Sequence, residues 1–196
     1  MSYAVAITMA RNVEIKAILQ DRKSAELVAR QLSGASPVII QQEDIFFHCD
    51  NARLKLRIFD SMHGELIHYK RPEVQGPRVS QYTIACTQDP QGLLAILTVT
   101  LGRTGTVKKR RTLYLIGQTR VHLDEVEGLG DYLELEVVLR PEQSAAEGEA
   151  IAQEFLTHFG IAPSDLIAKP YVELLEQSQI AASKLGHYNS ARSEVD

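Results

Sequence analysis

The stretch from Val107 to Val138 reads VKKRRTLYLIGQTRVHLDEVEGLGDYLELEVV, and its pattern decides the fold. Charged and apolar residues alternate along most of it, and the side chains of a β-strand point to opposite faces with a period of two. The stretch therefore predicts three strands, with a glycine-flanked turn from Gly128 to Asp131 before the last. Each strand has one apolar and one charged face, and along the chain the charged face carries cations first and carboxylates later.

Outward from this stretch, alternation predicts five earlier strands, at residues 11–19, 38–48, 53–59, 66–71 and 78–87. Helices are expected at residues 23–32, 90–101, 144–159 and 170–176. Asp21 and Asp89 are placed to cap the first two, and Ser144 with Glu147 forms a capping box for the third. Most strands follow one another as hairpins, so the fold class is α+β with a chiefly antiparallel sheet that curls or closes into a barrel.

Length and composition bound the protein class. The 196 residues fit one domain over residues 1–178, followed by a polar tail at residues 179–196. The net charge of −4 argues against a dedicated nucleic-acid binder. No apolar run reaches membrane-spanning length, and the N-terminus lacks the basic start of a signal peptide. Cys49 and Cys86 show no metal-ligand or disulfide spacing, which favours a cytoplasmic setting. The sequence does not decide between a monomer and a homodimer.

The charged strand faces have two interpretations. They are either the wet side of an antiparallel sheet or the lining of a site. The like charges of Arg53, Lys55 and Arg57 share one face and repel, which favours a site. Lys and Arg on separate strands suit a polyphosphate, and carboxylates beside them would need a hard cation such as Mg²⁺ or Mn²⁺ between them and the anion.

The order of these motifs resembles the CYTH superfamily, the triphosphate tunnel metalloenzymes. The family begins with an ExExK strand, which stands here as NVEIK at residues 12–16. The later motifs are a basic alternating strand, a KxR pair, an acidic residue and an ExE strand, which stand here as RLKLR at 53–57, KRR at 109–111, Asp124 and ELE at 134–136. The resemblance covers about residues 11–176.

The resemblance implies a closed, eight-stranded antiparallel tunnel with helices packed outside. It implies that a triphosphate is bound there with divalent metal, Mg²⁺ or Mn²⁺. The phosphate-binding residues would be Lys16, Arg53, Lys55, Arg57, Lys70, Lys109, Arg111 and Arg120. Of these, Lys16, Arg57, Lys109 and Arg111 would be catalytic, and the metal ligands would be Glu14, Asp124, Glu134 and Glu136.

Some positions depart from the family pattern or leave a choice. Asn12 replaces the first glutamate of ExExK, so one carboxylate usually offered to the metal is missing. The inward pair could be Lys108 with Arg110 instead of Lys109 with Arg111. Arg71 could take the role of Lys70, and Glu43 and Arg78 are further candidates for the site.

The expected function is that of a metal-dependent enzyme on a triphosphate-bearing small molecule: ATP, tripolyphosphate or thiamine triphosphate. The sequence resembles most the class IV adenylyl cyclases, which convert ATP to cyclic AMP and pyrophosphate. Hydrolysis of tripolyphosphate, or of a nucleoside or thiamine triphosphate, is the first alternative. A non-catalytic module that binds polyphosphate or nucleotide is the second.

Overall fold

The computed structural model describes residues 10–180 of the chain. In chain order the elements are β1 (Ala10–Ile18), α1 (Arg22–Ser33), β2 (Val38–Phe47), β3 (Arg53–Ile58), β4 (Gly64–Lys70), β5 (Arg78–Thr87), α2 (Pro90–Leu101), β6 (Arg103–Ile116), β7 (Thr119–Val126), β8 (Gly130–Val138), α3 (Ala145–His158) and α4 (residues 171–180). Among these residues, no helix combines the length and the apolar character that a membrane span needs.

The eight strands form a closed barrel in the order β1-β5-β4-β3-β2-β6-β7-β8. Every pairing is antiparallel. Strand β1 closes the barrel, because Glu14 lies opposite Arg78 of β5 on one side and opposite Glu136 of β8 on the other. The predicted α+β class and the closed antiparallel barrel with outer helices are confirmed.

The alternation of the strands turns the barrel's charged face inward and its apolar face outward. Outward residues such as Val13, Leu133 and Leu135 are fully buried, in one cluster with Ala152 and Phe155 of α3. Each large apolar side chain buried in this way stabilises the fold by about 1.5–3 kcal/mol. The main core therefore lies between the barrel and its helices, which leaves the barrel interior free to be polar.

Close packing of α3 depends on a glycine. A Cβ on Gly148 would lie 2.7 Å from Val13 and 2.6 Å from Leu139.

The predicted caps are present at all three helices: Asp21 and Asp89 accept backbone N–H bonds at the starts of α1 and α2, and Ser144 and Glu147 form the capping box of α3.

Helix α4 closes one end of the barrel. The Tyr171 ring packs edge-on against Tyr132 with centroids 4.9 Å apart, inside a cluster with Phe46 and Val107. The segment before α4 is bonded to β1, where the Ile167 amide donates to the Lys16 carbonyl at 2.9 Å. The helix extends beyond the predicted residues 170–176, and most of the predicted tail at 179–196 lies outside the described residues.

Candidate active site in the barrel tunnel

The barrel interior holds a cavity of about 120 Å³ that is lined mainly by charged side chains. Seven cationic side chains and four carboxylates line it: Lys16, Lys55, Arg57, Arg71, Lys109, Arg111 and Arg120, with Glu14, Asp44, Glu134 and Glu136. The excess of positive charge suits an anion with several negative groups.

The first ion cluster joins β6, β7 and β8. Arg111 donates two hydrogen bonds of 2.7 Å to Asp124 and one of 2.7 Å to Glu134. Lys109 donates to Asp124 at 2.7 Å, and the Tyr171 hydroxyl adds a bond of 3.2 Å. Asp124 has no exposed surface. Although burial alone would raise the pKa of Asp124, Arg111 and Lys109 hold it far below its usual range.

The second cluster centres on Asp44 of β2, which sequence analysis missed. Its carboxylate accepts a bond of 2.7 Å from Lys55 and bonds of 2.8 and 3.1 Å from Arg57. Burial, followed by the charge of Arg57, lowers the pKa of Lys55 to about 8. Burial would raise the pKa of Asp44, but Arg57 and Lys55 hold it well below the usual value.

On β1, Lys16 and Glu14 face the cavity. The Lys16 ammonium lies 3.7 Å from the centre of the Tyr171 ring. Burial lowers the pKa of Lys16 to about 7, and the nearby Glu134 carboxylate only partly opposes this. Glu14 is paired with the guanidinium of Arg71.

Glu136 is the least neutralised carboxylate of the tunnel. Its nearest cation is Arg120, at 3.4 Å, and the His122 ring lies 3.7 Å away. Burial raises the pKa of Glu136, and the negative charges of Glu134 and Glu14 raise it further against the opposing effect of Arg111. Burial and Arg111 hold the pKa of His122 well below 6.5, so the ring is neutral at physiological pH.

Most of the sequence-predicted residues meet in this tunnel. Those that line the cavity are Lys16, Lys55, Arg57, Lys109, Arg111, Arg120, Glu14, Glu134 and Glu136. Asp124 does not line the cavity, but it accepts hydrogen bonds from Lys109 and Arg111, which do. The choice within the basic run is also resolved, because Lys109 and Arg111 are buried inside while Lys108 is exposed.

Two predicted phosphate-binding residues lie elsewhere. Lys70 is exposed on the outer face of β4, and its expected place in the tunnel needs correction in favour of Arg71, the alternative. Arg53 lies beyond the cavity lining, where it pairs with Glu73 and donates to Glu173 of α4 at 2.8 Å.

The two further candidates named from the sequence also separate. Glu43 lines a different pocket, on the surface, and lies opposite Ile58 in the register of β2 and β3. Arg78 is buried and donates to the backbone carbonyls of Val74 and Ile167.

Two polar atoms in or beside the tunnel have no partner among the described residues and could accept a divalent cation as ligands. The Asn12 side-chain oxygen and the His122 Nδ1 are buried and find no hydrogen-bond partner within the described part of the chain. With the under-neutralised Glu136 they offer oxygen and nitrogen ligands. Among residues 10–180, no three His, Cys, Asp or Glu side chains form a ready metal site. Lys and Arg side chains instead hold Asp124 and Glu134.

Comparisons with known proteins agree with this geometry. The sequence profile of the CYTH domain matches residues 10–171. Adenylate cyclase CyaB of Aeromonas hydrophila is 29% identical over 107 residues, which are 54% of this chain and 56% of that protein. The chain thus matches little more than half the length of that relative.

Solved structures share the fold. The PH1012 protein of Pyrococcus horikoshii OT3 superposes with a TM-score of 0.73 at 24% identity, over 84% of this chain and 99% of that one. HpAC1 of Hippeastrum, a candidate adenylyl cyclase with a dominant triphosphatase activity, gives 0.54 at 20% identity, over 81% and 90%. The profile match spans most of the chain and the barrel brings most of the family's motif residues together in one tunnel, so this chain belongs to the CYTH domain family.

Proposed function

We propose that this chain is a metal-dependent enzyme that acts on the triphosphate group of a substrate held in the tunnel. The activity that we favour is the conversion of ATP to cyclic AMP and pyrophosphate. Members of the CYTH superfamily are adenylyl cyclase-like enzymes or triphosphatases, and they depend on metal. The observation that carries the proposal is the convergence of seven cations from five parts of the barrel on one cavity.

The carboxylates keep these cations in place before the substrate arrives. Asp44 holds Lys55 and Arg57 side by side, and Asp124 holds Lys109 and Arg111. A bound triphosphate offers phosphoryl oxygens to the remaining donors of each cation, so the cations need little rearrangement when it binds.

Lys16, Arg57, Lys109 and Arg111 act in the chemical step by neutralising charge. In cyclisation, the ribose 3′-oxygen forms a bond to the α-phosphorus, and the bond from that phosphorus to the bridging oxygen breaks. Pyrophosphate leaves with the electron pair, and the hydroxyl proton passes to solvent. Guanidinium and ammonium groups fixed around the phosphates stabilise the developing charge, which is the main catalytic effect in phosphoryl chemistry.

The carboxylates on the β1–β8 side of the tunnel are our proposed metal ligands. Glu14, Glu134 and Glu136 would hold Mg²⁺ or Mn²⁺, with the Asn12 carbonyl in place of a fourth carboxylate. The ion supplies charge neutralisation and orientation of phosphate oxygens. Glu14, Glu134 and Asp124 are paired with Arg71, Arg111 and Lys109 in the free protein, so each can bind the ion only where phosphates draw its cation away.

Hydrolysis is the second candidate. The likeness to HpAC1, a protein with a dominant triphosphatase activity, favours it. The same cations would then surround the terminal phosphate while water attacks its phosphorus. The bond from that phosphorus to the bridging oxygen breaks, the shortened phosphate chain leaves with the electron pair, orthophosphate is released, and the water proton passes to solvent.

The test is incubation of the protein with ATP or tripolyphosphate and Mg²⁺ or Mn²⁺, with separate assays of cyclic AMP, pyrophosphate and orthophosphate. We expect equal amounts of cyclic AMP and pyrophosphate from ATP. Arg111→Ala should abolish turnover, whereas Arg110→Ala, on the neighbouring outward residue, should not.

Orthophosphate without cyclic AMP would replace cyclisation by hydrolysis. Binding without any product would make the chain a polyphosphate- or nucleotide-binding module. If there is no product and tripolyphosphate does not protect the protein from thermal unfolding, the proposal is overturned.

A further inference from the structure

One amine of the tunnel differs from the other cations in having no anionic partner. Of the seven cationic side chains that line the cavity, six form an ion pair with a carboxylate: Lys55 and Arg57 with Asp44, Arg71 with Glu14, Lys109 and Arg111 with Asp124, and Arg120 with Glu136. Lys16 is the exception. Its ammonium makes neither an ion pair nor a hydrogen bond within residues 10–180, and its one close contact is the ring of Tyr171.

The carboxylates closest to Lys16 along the strands are already bound by other cations. Glu134 lies directly opposite Lys16 in the register of β1 and β8. Its carboxylate instead accepts a bond of 2.7 Å from Arg111. Glu14, two residues earlier on the same face of β1, is paired with Arg71. The pairing of its neighbours therefore leaves the Lys16 amine without an anion.

The surroundings of this amine are desolvated and cationic. Lys16 is only 3% exposed and lines the cavity, so a reagent meets the amine from inside the tunnel. The ammonium lies 3.7 Å from the centre of the Tyr171 ring, and the Lys109 ammonium lies 5.0 Å from the same centre. Desolvation and a neighbouring cation are the conditions under which a lysine acts as a nucleophile.

The six paired cations select what reaches the Lys16 amine. They attract anions into the cavity, and guanidinium and ammonium groups are well suited to phosphate oxygens. The typical reaction partner of a lysine nucleophile is a carbonyl group. A molecule that combines both features is an aldehyde carried on a phosphate ester, since its phosphate binds the paired cations while its carbonyl carbon meets the unpaired amine.

We propose that Lys16 is a covalent modification site for aldehydes that carry a phosphate ester, and that its amine forms an imine with them inside the tunnel. The ammonium first passes a proton to solvent, and the nitrogen lone pair then forms a bond to the carbonyl carbon. The nitrogen gives up its two remaining protons, the carbonyl oxygen takes up two and leaves as water, and a carbon–nitrogen double bond remains. The exchange needs no oxidant or reductant. The bound aldehyde occupies the space in which the tunnel would hold phosphates.

The test uses pyridoxal 5′-phosphate as the probe and pyridoxal, which lacks the phosphate, as the matched reagent. Each is incubated with the protein at pH 8 without metal, borohydride then reduces the imine to a stable amine, and peptide mass spectrometry locates the label. Lys16→Arg keeps the charge and removes the nucleophile. Lys108→Arg is the control variant, because Lys108 is exposed on the outer face of β6. Thermal unfolding checks the fold of both variants.

We expect the probe to label Lys16 about tenfold faster than Lys108, since one charge-assisted hydrogen bond to the phosphate is worth about that factor. Pyridoxal should label Lys16 about tenfold more slowly than its phosphate does. Excess tripolyphosphate should protect Lys16 and leave Lys108 unprotected. Lys16→Arg should lose the fast-reacting site, whereas Lys108→Arg should keep it.

Equal labelling of Lys16 and Lys108 would overturn the inference, and so would equal rates with pyridoxal and its phosphate. Label at Lys16 that tripolyphosphate does not reduce would overturn it as well, because the aldehyde would then not be held by the cations of the tunnel. If Lys16→Arg fails to fold, the peptide map of the wild type alone decides, since it compares two lysines of one protein.

Discussion

The charge of the Lys16 amine depends on its burial and on the charged groups near it in the tunnel. Burial lowers its pKa to about 7, with Glu134 in partial opposition. Above that pH, most molecules of the free protein therefore carry a neutral Lys16. A phosphate bound beside it favours the charged form and raises the pKa again. Anion binding and protonation of this amine are thus coupled.

We predict that tripolyphosphate binding at pH 8, without metal, takes up about one more proton in the wild type than in Lys16→Arg. The guanidinium of the variant stays charged in the free and the bound state. Protons taken up or released by the ligand itself are the same for both proteins and therefore cancel in the difference. Calorimetry in two buffers of different ionisation enthalpy measures the difference. The wild-type affinity should also fall as the pH rises above about 7. Equal proton uptake in the two proteins would contradict the coupling.

Glu134 and Glu136 are neighbours with opposite electrostatic situations. Burial would raise the pKa of Glu134, but Lys16, Lys109 and Arg111 hold it well below the usual value. Its ionised form therefore stabilises the fold above the unfolded pKa, and this stability is lost as the pH falls. The pKa of Glu136 is raised, so its charge at neutral pH costs stability.

We predict that Glu134→Gln lowers the free energy of unfolding at pH 7 by about 3 kcal/mol, because it breaks a buried ion cluster. Glu136→Gln should leave that free energy unchanged or raise it. Both should reduce metal-dependent turnover. Urea denaturation and metal titrations of the matched pair give the answer, and an equal loss of stability in both variants would refute the asymmetry.

At the scale of elements, α4 adds a side chain to the tunnel that no other helix provides among the described residues. The Tyr171 hydroxyl donates to Asp124, and burial followed by that carboxylate raises the pKa of the phenol well above its usual value. The ring also covers Lys16. The helix therefore stabilises the ion cluster as well as closing the barrel end.

Tyr171→Phe removes one bond from a carboxylate that keeps three others, so we expect a loss of about 1–2 kcal/mol. Tyr171→Ala also leaves a cavity under α4 and should cost about 3–5 kcal/mol. Urea unfolding of both proteins, with the wild type as reference, checks the order. If the two variants lose equal stability, the ring contributes nothing to closing the barrel.

Strand periodicity predicted most elements of the fold and most inward residues, but it failed where both faces of a strand are apolar. In β2, Asp44 is followed directly by three apolar residues, Ile45, Phe46 and Phe47. Phe46 lines the tunnel, while Ile45 and Phe47 pack on the outside of the barrel. Alternation disappears there and hides Asp44. In β4, the adjacent Leu66 and Ile67 obscured the strand's phase in the same way, which left Lys70 and Arg71 unresolved.

At the scale of the whole molecule, the closed barrel could not be predicted from local pattern. Periodicity indicated a sheet that curls or closes, and only the family resemblance implied a tunnel. Closure depends on β1 pairing with both β5 and β8, a contact between segments far apart in the chain. Likewise, the position of α4 depends on its packing against the barrel end. The pattern of residues 170–176 predicts a helix but not where that helix packs.

The pairing of β1 with β8 has a consequence for the biogenesis of the protein. Asn12 meets Val138 across that seam, so a nascent chain on the ribosome must emerge past residue 138 before its first strand finds its last neighbour. Contacts over such long sequence separations form slowly. The cations of the tunnel are therefore translated early but brought together late, and a fragment released before β8 would have every lysine and arginine of the tunnel without the closed barrel around them.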